Sequence, residues 1–198
     1  MKFDPEKYHR RSIRLAGYNY SEFGYYFITI CTENRLCLFG EIKNDEMILN
    51  DLGKIVEEEW LNTEKIRPNV ELNEFVVMPN HIHGIVIIKY KMEIGGRGVL
   101  QYARNNKQGE YQSGGEYQFA PTTRLRSPTQ TIGSIIRGFK SATAKRINIY
   151  RGFIAPVWQR NYYEHIIRAE NDYNSICRYI MLNSSMWVRD RNNIDGFH

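Results

Sequence analysis

Phe75–Ile88 reads FVVMPNHIHGIVII. Apolar and β-branched residues fill both flanks of Pro79-Asn80, a dipeptide that favours turns. The pattern predicts two strands, 69–77 and 81–89, joined at that turn. Along a strand, residues i and i+2 share a face. His81 and His83 therefore point the same way, and Ile82 enters the opposite layer. Gly84 has no side chain and leaves room for another group to come close. Neutral imidazole is a good ligand for a divalent ion, so the pair is a candidate metal site. A His-x-His pattern alone is more commonly two packed or solvent-facing histidines, and the remainder of the chain has to decide.

Working outward, Tyr25–Thr32 (YYFITICT) reads as a strand, and 36–48 as one or two more, broken around Lys43-Asn44-Asp45. Asn50 or Asp51 can cap a helix that places Leu52, Ile55, Val56 and Trp60 inward and Glu57 to Glu59 outward. Residues 91–130 are rich in Gly, Gln, Asn, Ser, Thr and Pro without apolar periodicity. They read as a flexible polar insertion. Ile132, Ile135, Ile136, Phe139, Thr143 and Ile147 then mark one helix face, with Arg137, Lys140 and Lys145 off it. Residues 157–167 read as a strand and 170–182 as a last helix, with Ile176 and Ile180 inward. Residues 1–20 form a basic N-terminal arm. The order is β-β-α-β-β-α-β-α, without strict βαβ alternation. It implies an α+β fold, a ferredoxin-like sandwich of helices packed on a mostly antiparallel sheet, as one domain over 1–198.

The chain has 198 residues, 42% hydrophobic and 25% charged, and this composition suits a soluble globular domain. It lacks the roughly 20-residue apolar run of a membrane span, and its first residues lack the apolar core of a secretory signal. Cys31, Cys37 and Cys177 are odd in number and form no CxxC pair, which suits a reducing cytoplasm. The net charge is +5, but the basic residues are clustered. No acid occurs between Tyr117 and Tyr163, a stretch that carries Arg137, Lys140, Lys145, Arg146 and four further cations besides; Arg10, Arg11 and Arg14 form a second cluster. Basic charge gathered this way suits a polyanion such as nucleic acid, against the alternative of a solvated surface. The 14 tyrosines supply either stacking platforms for unpaired bases or core packing.

Two histidines need a further metal ligand. Asn183, near the end of the last helix, offers an oxygen suited to Mg²⁺ or Mn²⁺. Tyr179 lies four residues earlier on the same helix face, where a phenolate beside a metal-bound phosphate is a plausible nucleophile. By spacing alone, a tyrosine on an amphipathic helix is usually packing and an asparagine near a helix end is usually a cap or turn.

The chain resembles the REP-associated tyrosine transposases, a group within the single-tyrosine HUH transposases of bacterial insertion sequences. The residues that carry the resemblance are MPNHIHGIV (78–86), with its His-hydrophobic-His motif, RRSIRLAGYNYSEFGYYFITICTENR (10–35), VWQRNYYEHIIR (157–168) and RYIMLN (178–183). The similarity spans nearly all of the chain outside about 91–125. It implies that His81, His83 and Asn183 bind the ion and that Tyr179 is the nucleophile. Ser184 stands where the group commonly has a proline, a change that touches no catalytic atom. Tyr162 and Tyr163 are rival nucleophiles, and Lys140 in GFKS is a candidate phosphate ligand. The implied activity is a metal-dependent endonuclease and strand transferase on single-stranded or hairpin DNA. It would act through a 5′-phosphotyrosine with Mg²⁺ or Mn²⁺, in a bacterial cytoplasm and away from membranes. Arg10, Arg11, Arg14, Arg137, Lys140 and Lys145 would contact DNA. Relatives act either as monomers or as homodimers that complete each site across two chains. Two other functions fit the same residues: a non-catalytic nucleic-acid-binding protein of the same fold, and a metal phosphodiesterase that uses water.

Overall fold

The computed structural model describes residues 23–89 and 131–193. The expected arm, with Arg10, Arg11 and Arg14, and the expected insertion at 91–130 lie outside the described residues. Strand β1 (Gly24–Cys31) is followed by a hairpin of β2 (Gly40–Lys43) and β3 (Glu46–Leu49), then helix α1 (Asp51–Ile66). Strands β4 (Val70–Met78) and β5 (His81–Ile88) come next, then α2 (Ile132–Arg151), β6 (Tyr163–Ile167) and α3 (Glu170–Met181). The main sheet has the order β4-β5-β1-β6, and every neighbouring pair is antiparallel. With the β2–β3 hairpin set aside, β1-α1-β4-β5-α2-β6 is the split β-α-β pattern of a ferredoxin-like sandwich.

Alternation along the strands creates two different faces. Tyr26, Ile28, Ile30, Val77, Ile82, Val86 and Ile88 join one buried cluster with Val56 and Trp60 of α1 and Ile135, Ile136, Phe139 and Ile147 of α2. Phe27, Ile85, Ile87 and Ile167 join a smaller cluster on the other face, with Cys177 and Ile180 of α3. Each fully buried aliphatic side chain contributes roughly 1.5–3 kcal/mol. The larger cluster therefore carries most of the stability, and the smaller one docks α3. Ile176 is only half-buried at its edge.

Local chemistry sets the element ends. Asn50 caps α1, with its side-chain oxygen accepting from the Gly53 N–H at 3.0 Å. Thr131 caps α2 in the same way, and Gly152 at φ +74° closes it. Asn44 and Asp45 both take positive φ in the β2–β3 turn, a conformation that Asn and Asp tolerate.

Two sequence expectations need correction. Only 163–167 of the predicted 157–167 strand is a strand, because the Lys140 ammonium takes the carbonyls of Gln159 (2.5 Å), Arg160 (3.1 Å) and Asn161 (3.4 Å). Upstream of β6, among the described residues, this segment pairs in strand fashion only at the Thr32–Trp158 bridge. Glu59 is not an outward residue: its side chain is 13% exposed and pairs with Arg146 of α2 at 2.8 Å. The cysteines are free thiols. Among the described residues no helix is long and apolar enough to cross a membrane.

Gly84 is a point of close approach between the sheet and α1. A Cβ there would lie 2.4 Å from Trp60 Cζ2 and 3.1 Å from Phe75 Cβ. The group admitted by Gly84 is thus the indole of α1. Gly84→Ala should cost about 1–3 kcal/mol through overpacking, measured by chemical denaturation. An unchanged midpoint would show that the indole can shift without loss.

Candidate metal centre and tyrosine cleft

The register of β1 and β5 sets Thr29 opposite His83 and Cys31 opposite His81. All four side chains project toward the α3 face. Both imidazoles are fully buried, with ring centroids 4.4 Å apart. Asn80, in the turn before β5, donates its side-chain NH₂ to the carbonyls of Arg35 (3.0 Å) and Asn192 (2.8 Å). Its oxygen is thereby aimed at His81 Nδ1, 2.8 Å away. His81 must carry its proton on Nδ1, and Nε2 keeps its lone pair. His83 Nδ1 meets Thr29 Oγ1 at 2.8 Å, and its Nε2 meets the Tyr179 hydroxyl at 3.1 Å.

Helix α3 delivers the tyrosine. Cys177 and Ile180 anchor it on the sheet, and Tyr179, 42% exposed, stands beside that buried stripe over His83. The Phe27 ring stacks on His83 (5.3 Å, 27°) and meets the Tyr179 ring edge-on. Asn183 is buried just past the helix end, and its NH₂ donates to Asp190 Oδ2 at 3.3 Å. Asp190 sits on the segment after α3, with Oδ2 3.9 Å from His81 Nε2. His81, His83 and Asp190 offer ligand atoms that all lie within 4.8 Å of one another.

Burial, more than any neighbour, depresses both imidazoles. His81 titrates at about 4 although the Asp190 carboxylate opposes the shift, and His83 lies well below its ordinary value, with His81 adding to the effect. Both are neutral, ligand-competent rings at physiological pH. Burial and then Asp190 raise the Tyr179 hydroxyl above its ordinary value, so the phenol is protonated at rest. His81 Nε2 and Asn183 Oδ1 are buried lone-pair atoms with no hydrogen-bond partner among the described residues. Orphaned acceptors of this kind are costly unless a cation serves them. The donor set of two imidazoles, an amide oxygen and a carboxylate fits a divalent ion.

A cleft of about 480 Å³ opens beside the cluster, lined by Phe27, Tyr163, Tyr179, Asn183, Arg189 and Arg191 among others. The Arg191 guanidinium lies 5.6 Å from the Tyr163 ring centre. The structure thus brings His81, His83, Tyr179 and Asn183 together within one chain. Tyr163 stands at the rim of the cleft, whereas Tyr162 packs against the larger core. Arg137 and Lys145 lie exposed on α2, across the sheet from the histidines. Lys140 is bonded to carbonyls, and Arg146 is tied to Glu58 and Glu59. Sequence reasoning missed Asp190, Arg189 and Arg191. A single carboxylate between two arginines reads as a solvated surface and carries no periodic signal.

The depressed imidazoles link stability to pH. Between pH 6.5 and about 4 the unfolded chain binds a proton at His81 that the folded chain excludes. Stability is therefore full above 6.5 and is lost as pH falls toward 4, and His83 acts in the same direction. Asp190, Cys31, Tyr179, Arg35 and Arg191 face the same cluster. Melting temperatures of the chelator-treated protein and of His81→Asn should therefore converge on acidification from pH 7.5 to 4.5. Parallel curves would contradict the assignment.

No family model matches the chain. An "uncharacterized protein" of Haemophilus influenzae is 42% identical over 194 residues, 98% of each chain. Among solved structures, a REP-associated tyrosine transposase bound to a REP hairpin is similar with a TM-score of 0.52 and 19% identity, over 88% of this chain and 74% of that one. A candidate transposase from Deinococcus radiodurans aligns with a TM-score of 0.42 and 14% identity, over 86% and 96% of the two chains, too distantly to bear on the fold. The chain belongs to the family of the Haemophilus influenzae protein, and its fold is that of the hairpin-bound tyrosine transposase.

Proposed function

We propose that the protein is a metal-dependent, single-strand DNA endonuclease and strand transferase that works through Tyr179. One observation carries this reading. The Tyr179 hydroxyl sits 3.1 Å from a buried imidazole, in a cluster where His81 Nε2 and Asn183 Oδ1 have no hydrogen-bond partner among the described residues. A nucleophile, a vacant-donor ion site and an open cleft therefore coincide. The solved neighbour is described as bound to a REP hairpin. That fact and the resemblance support single-stranded DNA beside a hairpin as the substrate.

In the proposed step the Tyr179 oxygen attacks the phosphorus of the scissile diester. The P–O3′ bond breaks, and its electron pair leaves with the 3′ oxygen. The phenolic proton is lost as the new bond forms, and the 3′ oxygen gains one. The products are a 5′-phosphotyrosine and a free 3′-hydroxyl. The ester retains the bond energy, so a second 3′-hydroxyl can reverse the step on another strand without ATP. The chain has no GxxxxGK[ST] motif to bind one. A bound Mg²⁺ or Mn²⁺ supplies Lewis-acid stabilisation of the phosphate. His81, His83 and Asn183 would hold that ion. Arg189 and Arg191 place positive charge along the cleft, and Tyr163 offers a face for an unpaired base. Arg137 and Lys145 lie across the sheet and would contact only DNA that extends beyond the cleft, with Arg10, Arg11 and Arg14 of the arm as further candidates.

Labelled single-stranded oligonucleotides that carry a hairpin, incubated with the protein and Mg²⁺ or Mn²⁺, should yield a metal-dependent covalent adduct on a denaturing gel. Tyr179→Phe should lower adduct formation by at least about 10³-fold while DNA binding persists. Cleavage without an adduct would mean a phosphodiesterase that uses water. Binding with no cleavage, across hairpins and both ions, would mean a nucleic-acid-binding protein.

A further inference from the structure

The segment after α3 does more than close the fold. Trp187–Arg189 forms a single 3-10 turn, and Asp190 follows it, turned inward. Arg189 and Arg191 on either side line the cleft. The Asp190 side chain is 2% exposed. A carboxylate so buried costs several kcal/mol unless a positive charge offsets it. Among the described residues its two oxygens receive the Asn192 N–H at 2.6 Å and the Asn183 NH₂ at 3.3 Å. Among the described residues no lysine or arginine pairs with it, and the nearest imidazole nitrogen, His81 Nε2, stands 3.9 Å away.

From this geometry we infer that Asp190 is itself a ligand of the ion and that Asn183 positions it. The inference rests on the metal-dependent reading of this site. Two ligands each about 2.1 Å from one ion lie at most about 4.2 Å apart. The observed spread, up to 4.8 Å across His81, His83 and Asp190, needs only a small contraction around an ion. The carboxylate brings a full negative charge to a set that is otherwise neutral. With Asn183 as the only oxygen ligand, a divalent ion would face no acidic donor, although a buried carboxylate lies next to it. The Asn183 NH₂ on Asp190 Oδ2 is the hydrogen bond expected of a residue that orients a ligating carboxylate. Asn80 adds a second restraint, since one amide holds both the His81 ring and the Asn192 carbonyl. The imidazole and the carboxylate-bearing segment are therefore fixed relative to each other.

The test reads ion binding by the protein alone, without DNA. Mn²⁺ affinity would be measured from the free-ion EPR signal for wild type, Asp190→Asn and Asn183→Ala. Asp190→Asn should weaken Mn²⁺ binding by about 100-fold or more and Asn183→Ala by about 10-fold. Asp190→Asn within twofold of wild type, with the larger loss in Asn183→Ala, would overturn the inference and leave the metal-dependent reading intact. Absence of saturable Mn²⁺ binding in wild type would overturn both. Should Asp190→Asn fail to fold, the anomalous peak of Mn²⁺-loaded wild-type crystals decides. A peak within about 2.3 Å of the carboxylate supports the assignment, and one beyond about 3.5 Å contradicts it.

Discussion

One buried amide holds the candidate site together. Asn80 is fully buried, and all of its side-chain bonding capacity toward protein is directed: two carbonyls from distant segments take its NH₂, and His81 Nδ1 donates to its oxygen. Those carbonyls belong to Arg35, in the turn after β1, and to Asn192, in the segment after α3. Three parts of the chain, far apart in sequence, thus meet on one side chain. The amide also selects the imidazole tautomer, because an oxygen facing Nδ1 demands a proton there. The free lone pair of His81 Nε2 is a consequence of that choice. The backbone of the same turn is tied as firmly, with Thr32 donating to the Asn80 carbonyl through both its N–H and its hydroxyl.

The sheet separates support from chemistry. On the face covered by α1 and α2, Ile82 and Gly84 pack against a large apolar layer; on the other face, His81 and His83 look toward α3. A rigid layer behind the histidines holds their backbone, and the lighter α3 layer brings Tyr179 to them. This division would suit the proposed strand cleavage, in which α3 has to admit a substrate strand. Its anchor is small, and Tyr179 stands at the margin of that anchor, half open to the cleft.

Much of this was legible in the sequence where a period was present. Alternation in HIHGIVII gave the common face of His81 and His83, and the apolar positions of α2 match the buried ones observed. The i,i+4 relation of Tyr179 and Asn183 placed both near the cluster. What escaped lacks a period. The 157–162 stretch has strand-like composition, but a lysine from α2 takes its carbonyls. Glu59 looks like a surface charge until an arginine 87 residues away is folded against it. Charge density along the chain likewise could not show that Lys140 and Arg146 are engaged internally. Nor could it show that the cations lining the cleft, Arg189 and Arg191, sit far from the basic block. Asp190 is legible only in three dimensions, because its significance lies in burial and in its neighbours.

The account turns on which oxygen becomes bonded to phosphorus. Trypsin cleaves after Arg178 and Arg189 and releases YIMLNSSMWVR, in which Tyr179 is the sole tyrosine. Mass spectrometry of the digested, nuclease-trimmed DNA adduct measures the site directly. The account predicts a 5′-nucleotide mass on that peptide. The same mass on NYYEHIIR (161–168), which carries Tyr162 and Tyr163, would contradict it.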